Sequence, residues 1–397
     1  MKNMLYKAKG ALALTLAVSI CGAQCVPVFA AEALSAAQQG VQVTPVKELT
    51  EEEKAALQLP KLTAEEALAK AKKHSPDLRE IQDTLDYLDD TLDDIDRSAG
   101  GTVTVPNVEY KKWVNDGWQK VVSAVYQAEQ GKKQARIGED LQNLGLEVSV
   151  KSYFTSIKSN EDTLSLTKKN AEIQKKLYEQ GQEKNRLGLL SKYNLNQLEI
   201  AAKQAQDNVA LLEASMEQLY IKLNDLMGEK ADARFEYVYD VTYTPYKLSL
   251  PMEQYLNAVL KKDLTIQLKE LALDSAKFTK NYVGESNTQE YNYDTAKRNL
   301  KTAKTDKEMA IRNAYLQLQQ METQITSAQS SLTKAQADYR AAQINLRAGN
   351  VTKTAVEQAE MGVVSAQNSL NQLIYNYDML VFTFENPSLL GNTAQAQ

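Results

Sequence analysis

Beyond residue 25 the chain has no cysteine, and along its whole length it has one histidine, His74. That excludes a disulfide framework, a thiolate metal site and a cysteine–histidine catalytic pair from everything after Cys25. His74 alone builds neither a metal site nor a triad, and it lies just before a proline helix start, so a structural role is expected for it. Glycine and proline are scarce, at 16 and 8 in 397 residues, while Gln, Ala, Leu, Lys and Asn dominate. This is the composition of long helices and coiled coils rather than of an α/β enzyme. No glycine-rich phosphate loop, no nucleophile elbow and no paired carboxylate in a recognisable context is present. Neither an enzyme nor a cofactor is therefore expected. Basic charge is in deficit too, 46 Lys and Arg against 51 Asp and Glu, which argues against nucleic acid or anionic lipid as the main partner.

What is there begins with a targeting signal. Lys2, Lys7 and Lys9 form a basic start, residues 11–20 an apolar stretch and Val28-Phe29-Ala30 a small-residue cleavage site. The apolar stretch is too short and wrongly flanked for a membrane span. Residues 1–30 are thus expected to be a signal peptide. Neither Cys21 nor Cys25 follows the small residues of a lipid-attachment site, so both leave with it. With those three lysines gone, 43 bases face 51 acids, a net −8. Residues 31–60, which carry Pro45 and Pro60, read as an extended arm.

The rest is organised around a turn that occurs twice. Arg186, Gly188 and Ser191 return 161 residues later as Arg347, Gly349 and Thr352, each set followed by a long apolar repeat. Glycine ends a helix in the left-handed conformation and Ser or Thr caps the next. Each copy predicts a tight turn between antiparallel helices, and the pair predicts an internal duplication.

Thr63-x-x-Glu66 is a capping box, and Ser75-Pro76-Asp77 a second helix start. Ile81, Leu85, Leu88, Leu92 and Ile95 then alternate by three and four, the seam of a coiled coil. Gly100-Gly101 break that helix, and 102–110 read as one short extended piece. A helix is predicted from about Trp113 to Arg186, roughly 110 Å long, with an apolar seam that changes face along its length. Leu198, Ala202, Ala205, Val209, Leu212, Met216, Leu219, Leu223 and Leu226 give an unbroken seam after the turn. Phe235, Tyr237, Tyr239, Val241 and Tyr243 alternate by two and predict a strand. The second half repeats the plan: 248–264 aligns with 62–78 at an offset of 186, and 282–291 reads as a break. A long helix through Ile311, Leu318, Ile325 and Leu332 follows, and a returning one through Val356, Val363, Leu370, Tyr377 and Phe384. The fold class is all-α: long antiparallel coiled-coil helices, internally duplicated, with a short β connector. The divisions are an arm to residue 60, repeat 1 over 61–228, the connector over 229–247, repeat 2 over 248–385 and a tail over 386–397.

This plan resembles the TolC-like outer-membrane efflux proteins. Leu62-Thr63-x-x-Glu66-Ala67-Leu68 with Ser75-Pro76-Asp77-Leu78 is similar to the family's opening helix. Val150-x-x-Tyr153-Phe154 is similar to the start of its long helix, and the two Arg-x-Gly turns look like its tips. The resemblance implies a homotrimer whose long helices form a hollow α-barrel in the cell envelope. It also implies a periplasmic adaptor (membrane fusion protein) and an inner-membrane pump as partners, the adaptor meeting the tips. The family's β-hairpins need two strands of about 9–11 residues each, and neither 100–110 nor 282–293 has room for them. The family often has Asp three residues after the tip hydroxyl, where Asn194 and Ala355 stand here.

Candidate site residues follow from both lines of reading. Arg186, Gly188, Ser191, Arg347, Gly349 and Thr352 form the partner-binding tip, with the two arginines either capping helical carbonyls or offered to a partner. Asp86, Asp89, Asp90, Asp93 and Asp94, with Asp83 and Asp96 beside them, are a solvated coiled-coil face or, repeated around a trimer, an acidic lumen ring. They lack the glycine and spacing of a calcium loop. Tyr315, Tyr339, Tyr375 and Tyr377 are expected in the core with hydroxyls at its rim. The rival to a conduit is a non-conducting structural or adhesive coiled coil of the envelope.

Overall fold

The computed structural model describes residues 59–101, 116–283 and 286–391. Its packed body is 61–391; residues 1–60 with 392–397 form the other unit, of which only Leu59 and Pro60 are described. The expected signal peptide and the extended piece at 102–110 lie outside the described residues. Among the described residues no helix is long and apolar enough to cross a membrane.

Eight α-helices carry the body. The first repeat holds α1 (Ala64–His74), α2 (Pro76–Ala99), α3 (Asp116–Arg186) and α4 (Lys192–Met227). The second holds α5 (Met252–Leu260), α6 (Leu264–Phe278), α7 (Asn287–Arg347) and α8 (Lys353–Glu385). Capping chemistry sets the starts. Thr63 Oγ1 accepts from the Glu66 amide at 3.2 Å while Glu66 Oε2 accepts from the Thr63 amide at 3.0 Å. Ser75 caps α2, accepting from the Leu78 amide, with Pro76 at the first helical position. The helix starts of the two repeats lie 188 residues apart, 64 to 252 and 76 to 264. This corrects the offset of 186 taken from matching Asp77-Leu78 to Asp263-Leu264: the equivalent of Asp263, which caps α6, is Ser75.

The 71-residue α3 spans roughly 107 Å at 1.5 Å per residue. It packs against α2 and then α4 on one flank, α6 and then α8 on the other. Lys132 pairs with Asp89 of α2, and further on Lys168 pairs with Glu213 of α4. Toward α6, Tyr126 donates to Asp274; toward α8, the Asp162 carbonyl accepts from Asn368. The changes of partner are why the apolar seam of α3 changes face. Similarly, α7 packs against α6 and α8.

At the change of partner the flanking helices abut. Gly228 ends α4 at φ +71, and its missing Cβ would lie 2.3 Å from the His74 ring. His74 is thus structural, filling the space beside a left-handed cap. Gly228→Ala is expected to cost about 1–2 kcal/mol for the left-handed backbone, since the exposed imidazole swings aside. Urea denaturation measures this, and a His74→Ala change in the Gly228→Ala protein should return little of it. In repeat 2 the end of α8 meets α6, where Ser388 Oγ accepts from the Leu264 amide at 3.0 Å. A 3-10 turn at Pro387–Leu389 buries Pro387 and Ser388, so the packed body continues past Glu385.

The cores sit beside these joints. Leu62, Ala67, Leu146, Phe154, Ile157 and Leu223 gather in one; Leu256, Ile311, Leu318, Leu370 and Phe384 in its counterpart. Between repeats the connector lays aromatic rings across them. Tyr237 stacks on Tyr220 and meets Phe154 edge-on, Tyr239 donates to Asp378 at 2.9 Å, and Tyr246 packs on Phe384. Asn224, fully buried, holds its start by donating to the Ala231 and Ala233 carbonyls.

The strand expected through Phe235–Tyr243 is shorter. Only β2 (Glu236–Val238) is laddered, in parallel with β1 (Lys61–Thr63). Its partner has just three residues before the capping box turns the chain into α1, so no ladder extends beyond them. The break expected over 282–291 is also shorter. A π-helical turn runs to Val283, and Ser286 already caps α7, so Tyr291 lies inside a helix.

Candidate functional site

Both predicted turns form, with the same backbone. Gly188 and Gly349 take φ +72 and +76. At the first, the Gly188 amide donates to the Asn185 carbonyl and the Leu189 amide to that of Lys184. At the second, Gly349 donates to Leu346 and Asn350 to Asn345. Each is a Schellman motif, which satisfies the last carbonyls without a side chain. Ser191 then accepts from the Asn194 amide at 3.1 Å and Thr352 from the Ala355 amide at 3.3 Å, capping α4 and α8. The departures from Asp at Asn194 and Ala355 therefore leave the caps intact, because the amide and not the side chain is used.

The arginines do not cap carbonyls. Arg186 turns back along α3 to Glu183, Nε to Oε2 at 2.9 Å, and this guanidinium holds the Glu183 carboxyl below its usual range. The side chain that ties the first turn is Asn185, whose Nδ2 donates to the Leu190 carbonyl at 2.7 Å. Arg347 has no ion pair among the described residues, because the position equivalent to Glu183 is Ile344.

On these matched backbones the surfaces differ. The first turn exposes Leu187, Leu189 and Tyr193, the last two by 75% and 72%. The second has Ala348, Asn350 and Thr354 in the equivalent positions, beside the unpaired Arg347. The first turn is apolar and its Arg186 is ion-paired; the second turn is polar and its Arg347 has no ion pair among the described residues. The apolar cluster was not among the predicted residues, although the run Leu187-Gly188-Leu189-Leu190 is unusually apolar for a turn. Gly181 also escaped notice: a Cβ there would lie 2.5 Å from Leu198, so this glycine lets α3 and α4 approach just before the turn.

The acidic stretch lies elsewhere. Asp86, Asp89, Asp90, Asp93 and Asp94 are exposed on α2. Asp89 reaches Lys132 of α3, which lies about 80 Å along that helix from Arg186. Asp86 accepts from Gln82 and Asp94 pairs with Arg97, while Asp90 and Asp93 have no partner among the described residues. Thus the structure brings Arg186, Gly188 and Ser191 together, and likewise Arg347, Gly349 and Thr352, but not the carboxylates with either. No group of metal-ligating side chains occurs among the described residues. Of the four tyrosines, Tyr377 is buried and donates to Glu322 at 2.6 Å; Tyr315, Tyr339 and Tyr375 are half-buried.

Toward the tips, the two hairpins meet through polar contacts. Lys176 pairs with Glu357 at 2.9 Å, Lys169 with Glu360, and Asp162 accepts from Asn371 at 2.8 Å. Within the first hairpin the corresponding contact is apolar, through Ala171, Ala205 and Val209.

No protein-family model and no curated protein matches the chain. Solved structures do. The outer membrane protein VceC of Vibrio cholerae is 14% identical, with a TM-score of 0.57 over 83% of this chain and 96% of its own. The CmeC outer membrane channel of Campylobacter jejuni gives 13%, 0.58, 84% and 87%. The open-state MtrE outer membrane channel of Neisseria gonorrhoeae gives 13%, 0.56, 84% and 91%. With its duplicated hairpins and paired tips, the chain has the fold of the TolC-like outer-membrane channels.

Proposed function

We propose that this protein is the conduit of an efflux or secretion assembly in the cell envelope, a homotrimer whose long hairpins enclose a channel. One observation carries the reading. Contacts order the tip half of the body as α4, α3, α8, α7, which leaves α4 and α7 at the edges. Both edges show apolar side chains to solvent. Ile200, Leu211 and Ile221 lie within about 80° of each other around α4, and Met309, Leu316 and Ile344 within about 100° around α7. Two different unpartnered edges fit a head-to-tail contact, which closes into a ring where the rotation between copies is a whole fraction of a turn. The fold shared with outer-membrane channels supports the same reading.

The tips are the surface offered to a periplasmic adaptor, itself coupled to an inner-membrane pump. The first presents Leu187, Leu189 and Tyr193, and the second Arg347.

Light scattering and negative-stain imaging of the purified chain test the proposal. A trimer with a hollow profile is the expected result, and Leu211→Glu with Leu316→Glu should convert it to monomers. A wild-type monomer or a solid dimer would instead favour the non-conducting coiled coil.

A further inference from the structure

A cavity of about 410 Å³ opens where α3, α4 and α8 meet, tipward of the connector. Ser156, Ser159 and Asn160 line it from α3, Ser215 from α4, and Gln372 and Asn376 from α8. Two features set it apart from the surrounding contacts. Not one lining residue carries a charge, although Lys, Asp and Glu are common on these helices. Secondly, none of those six side chains hydrogen-bonds to another protein group among the described residues, and Ser215, Gln372 and Asn376 are exposed, so all six are open to a ligand.

Hydroxyls and carboxamides both donate and accept. A lining of such groups complements a ligand that is likewise donor and acceptor over its whole outline. Among the lining groups themselves an ion meets no opposite charge to offset its lost hydration, although the carboxylates of Asp162 and Glu161 lie near enough to act on Tyr375. Ordinary small-molecule pockets of this size are mostly apolar with a few polar groups, and here the proportions are reversed. An aromatic ring is supplied by Tyr375, which also lines the cavity and packs tilted against Tyr239 at 6.3 Å between ring centres. A ring face beside several hydroxyl-matching groups suits a sugar, whose C–H face is apolar and whose rim is hydroxylated. We propose that this cavity binds a neutral saccharide. The proposal does not rest on the conduit reading, since every lining residue belongs to one protomer.

Saturation-transfer NMR and calorimetry on the full chain test it, with maltose and diacetylchitobiose as neutral probes and glucuronate and glucosamine as charged ones. Transfer to a neutral sugar is expected, and stronger than to either charged one. Asn160→Ala with Asn376→Ala should weaken that binding about thirtyfold, as two lost hydrogen bonds of about 1 kcal/mol each imply. These side chains are exposed or half-exposed, so the variant should keep its helical circular dichroism; Ser215→Ala, the mildest change, gives a second reading. No transfer to any sugar would mean a water-filled groove only and overturn the proposal. So would equal binding of the charged probes, or binding indifferent to both variants. Oligomeric state does not enter, so the outcome is independent of the trimer test.

Discussion

Replacing Lys307 by methionine should destabilise the protein by about 3–5 kcal/mol, the cost of leaving a buried carboxylate without its counter-charge. Lys307 of α7 is 5% exposed, and Asp263, which caps α6, is 2% exposed. The ammonium sits 3.3 Å from Asp263 Oδ2 and donates to the Pro387 and Leu390 carbonyls at 2.9 and 2.6 Å. It thereby holds three chain segments at once: α6, α7 and the turn after α8. Burial pushes the Lys307 ammonium down from its ordinary pKa, and the Asp263 carboxylate opposes that shift. Asp263→Asn keeps a good cap and removes the charge. In the Lys307→Met protein it should return a good part of the loss, so the double mutant falls short of the summed single losses by about 1–3 kcal/mol. Urea midpoints give the energies, and hydrogen exchange at 386–391 should show that segment loosening first. A Lys307→Met protein within about 0.5 kcal/mol of the parent would mean that the clamp contributes nothing.

Raising the pH through 10 should unfold the chain steeply, because several tyrosines keep their protons in the folded state. Tyr126, Tyr237 and Tyr377 are 7%, 3% and 3% exposed. Burial pushes the Tyr237 phenol up to about 12, with Tyr220 adding to it. Tyr126 and Tyr377 are pushed well above the ordinary value, first by burial and then by the carboxylates of Asp274 and Glu322. The unfolded chain gives up these protons near pH 10 while the folded one retains them. Stability is therefore full below pH 10 and falls as pH rises toward the folded values. Each tyrosine removes at most about 1.4 kcal/mol per pH unit in that window, so the three remove up to about 4. Against a net stability of about 5–15 kcal/mol this is decisive. The part of the phenolate absorbance that comes from the buried rings should rise together with the loss of helical circular dichroism between pH 10 and 12. Tyr237→Phe is the sharpest variant: its hydroxyl has no hydrogen-bond partner among the described residues, so the change should cost little at neutral pH and move the transition to higher pH. A full complement of phenolates, buried rings included, formed at ordinary pH in an intact helical protein would refute this account.

Helical periodicity made most of the fold legible. Every α4 seam position from Leu198 to Leu226 is buried or half-buried, because one partner helix runs beside it throughout. The duplicated turns were legible because left-handed glycine and a hydroxyl cap leave a local signature. Contacts that join distant segments were not. Nothing beside Lys307 in sequence marks it as a clamp, since Asp263 and Pro387 lie 44 and 80 residues away. The parallel partner of Tyr237 escaped for a related reason: Lys61–Thr63 is too short to show alternation. In the candidate site the landmark residues were found, but their chemistry was reassigned. Of the two roles open to Arg186, the cap is not taken, because the backbone of the Schellman turn suffices and the side chain pairs with Glu183. The exposed Leu187, Leu189 and Tyr193 were not legible because an apolar side chain in a turn carries no periodic signal.

The abutting helix ends have a mechanical consequence. Seen from the tips, the joint at His74 and Gly228 lies beside Gln142 and Leu146 on α3, about 60 Å from Arg186. The joint at Asp263 and Ser388 lies beside Lys307 on α7, also about 60 Å from Arg347. The two splices thus fall at one level, where only α3 and α7 run through like continuous rods in a jointed beam. A load on the tips acts there with a lever of that length. A bend of about 5° in the two rods would carry the tips sideways by about 5 Å, a displacement large on the scale of side chains, for little rearrangement at the pivot.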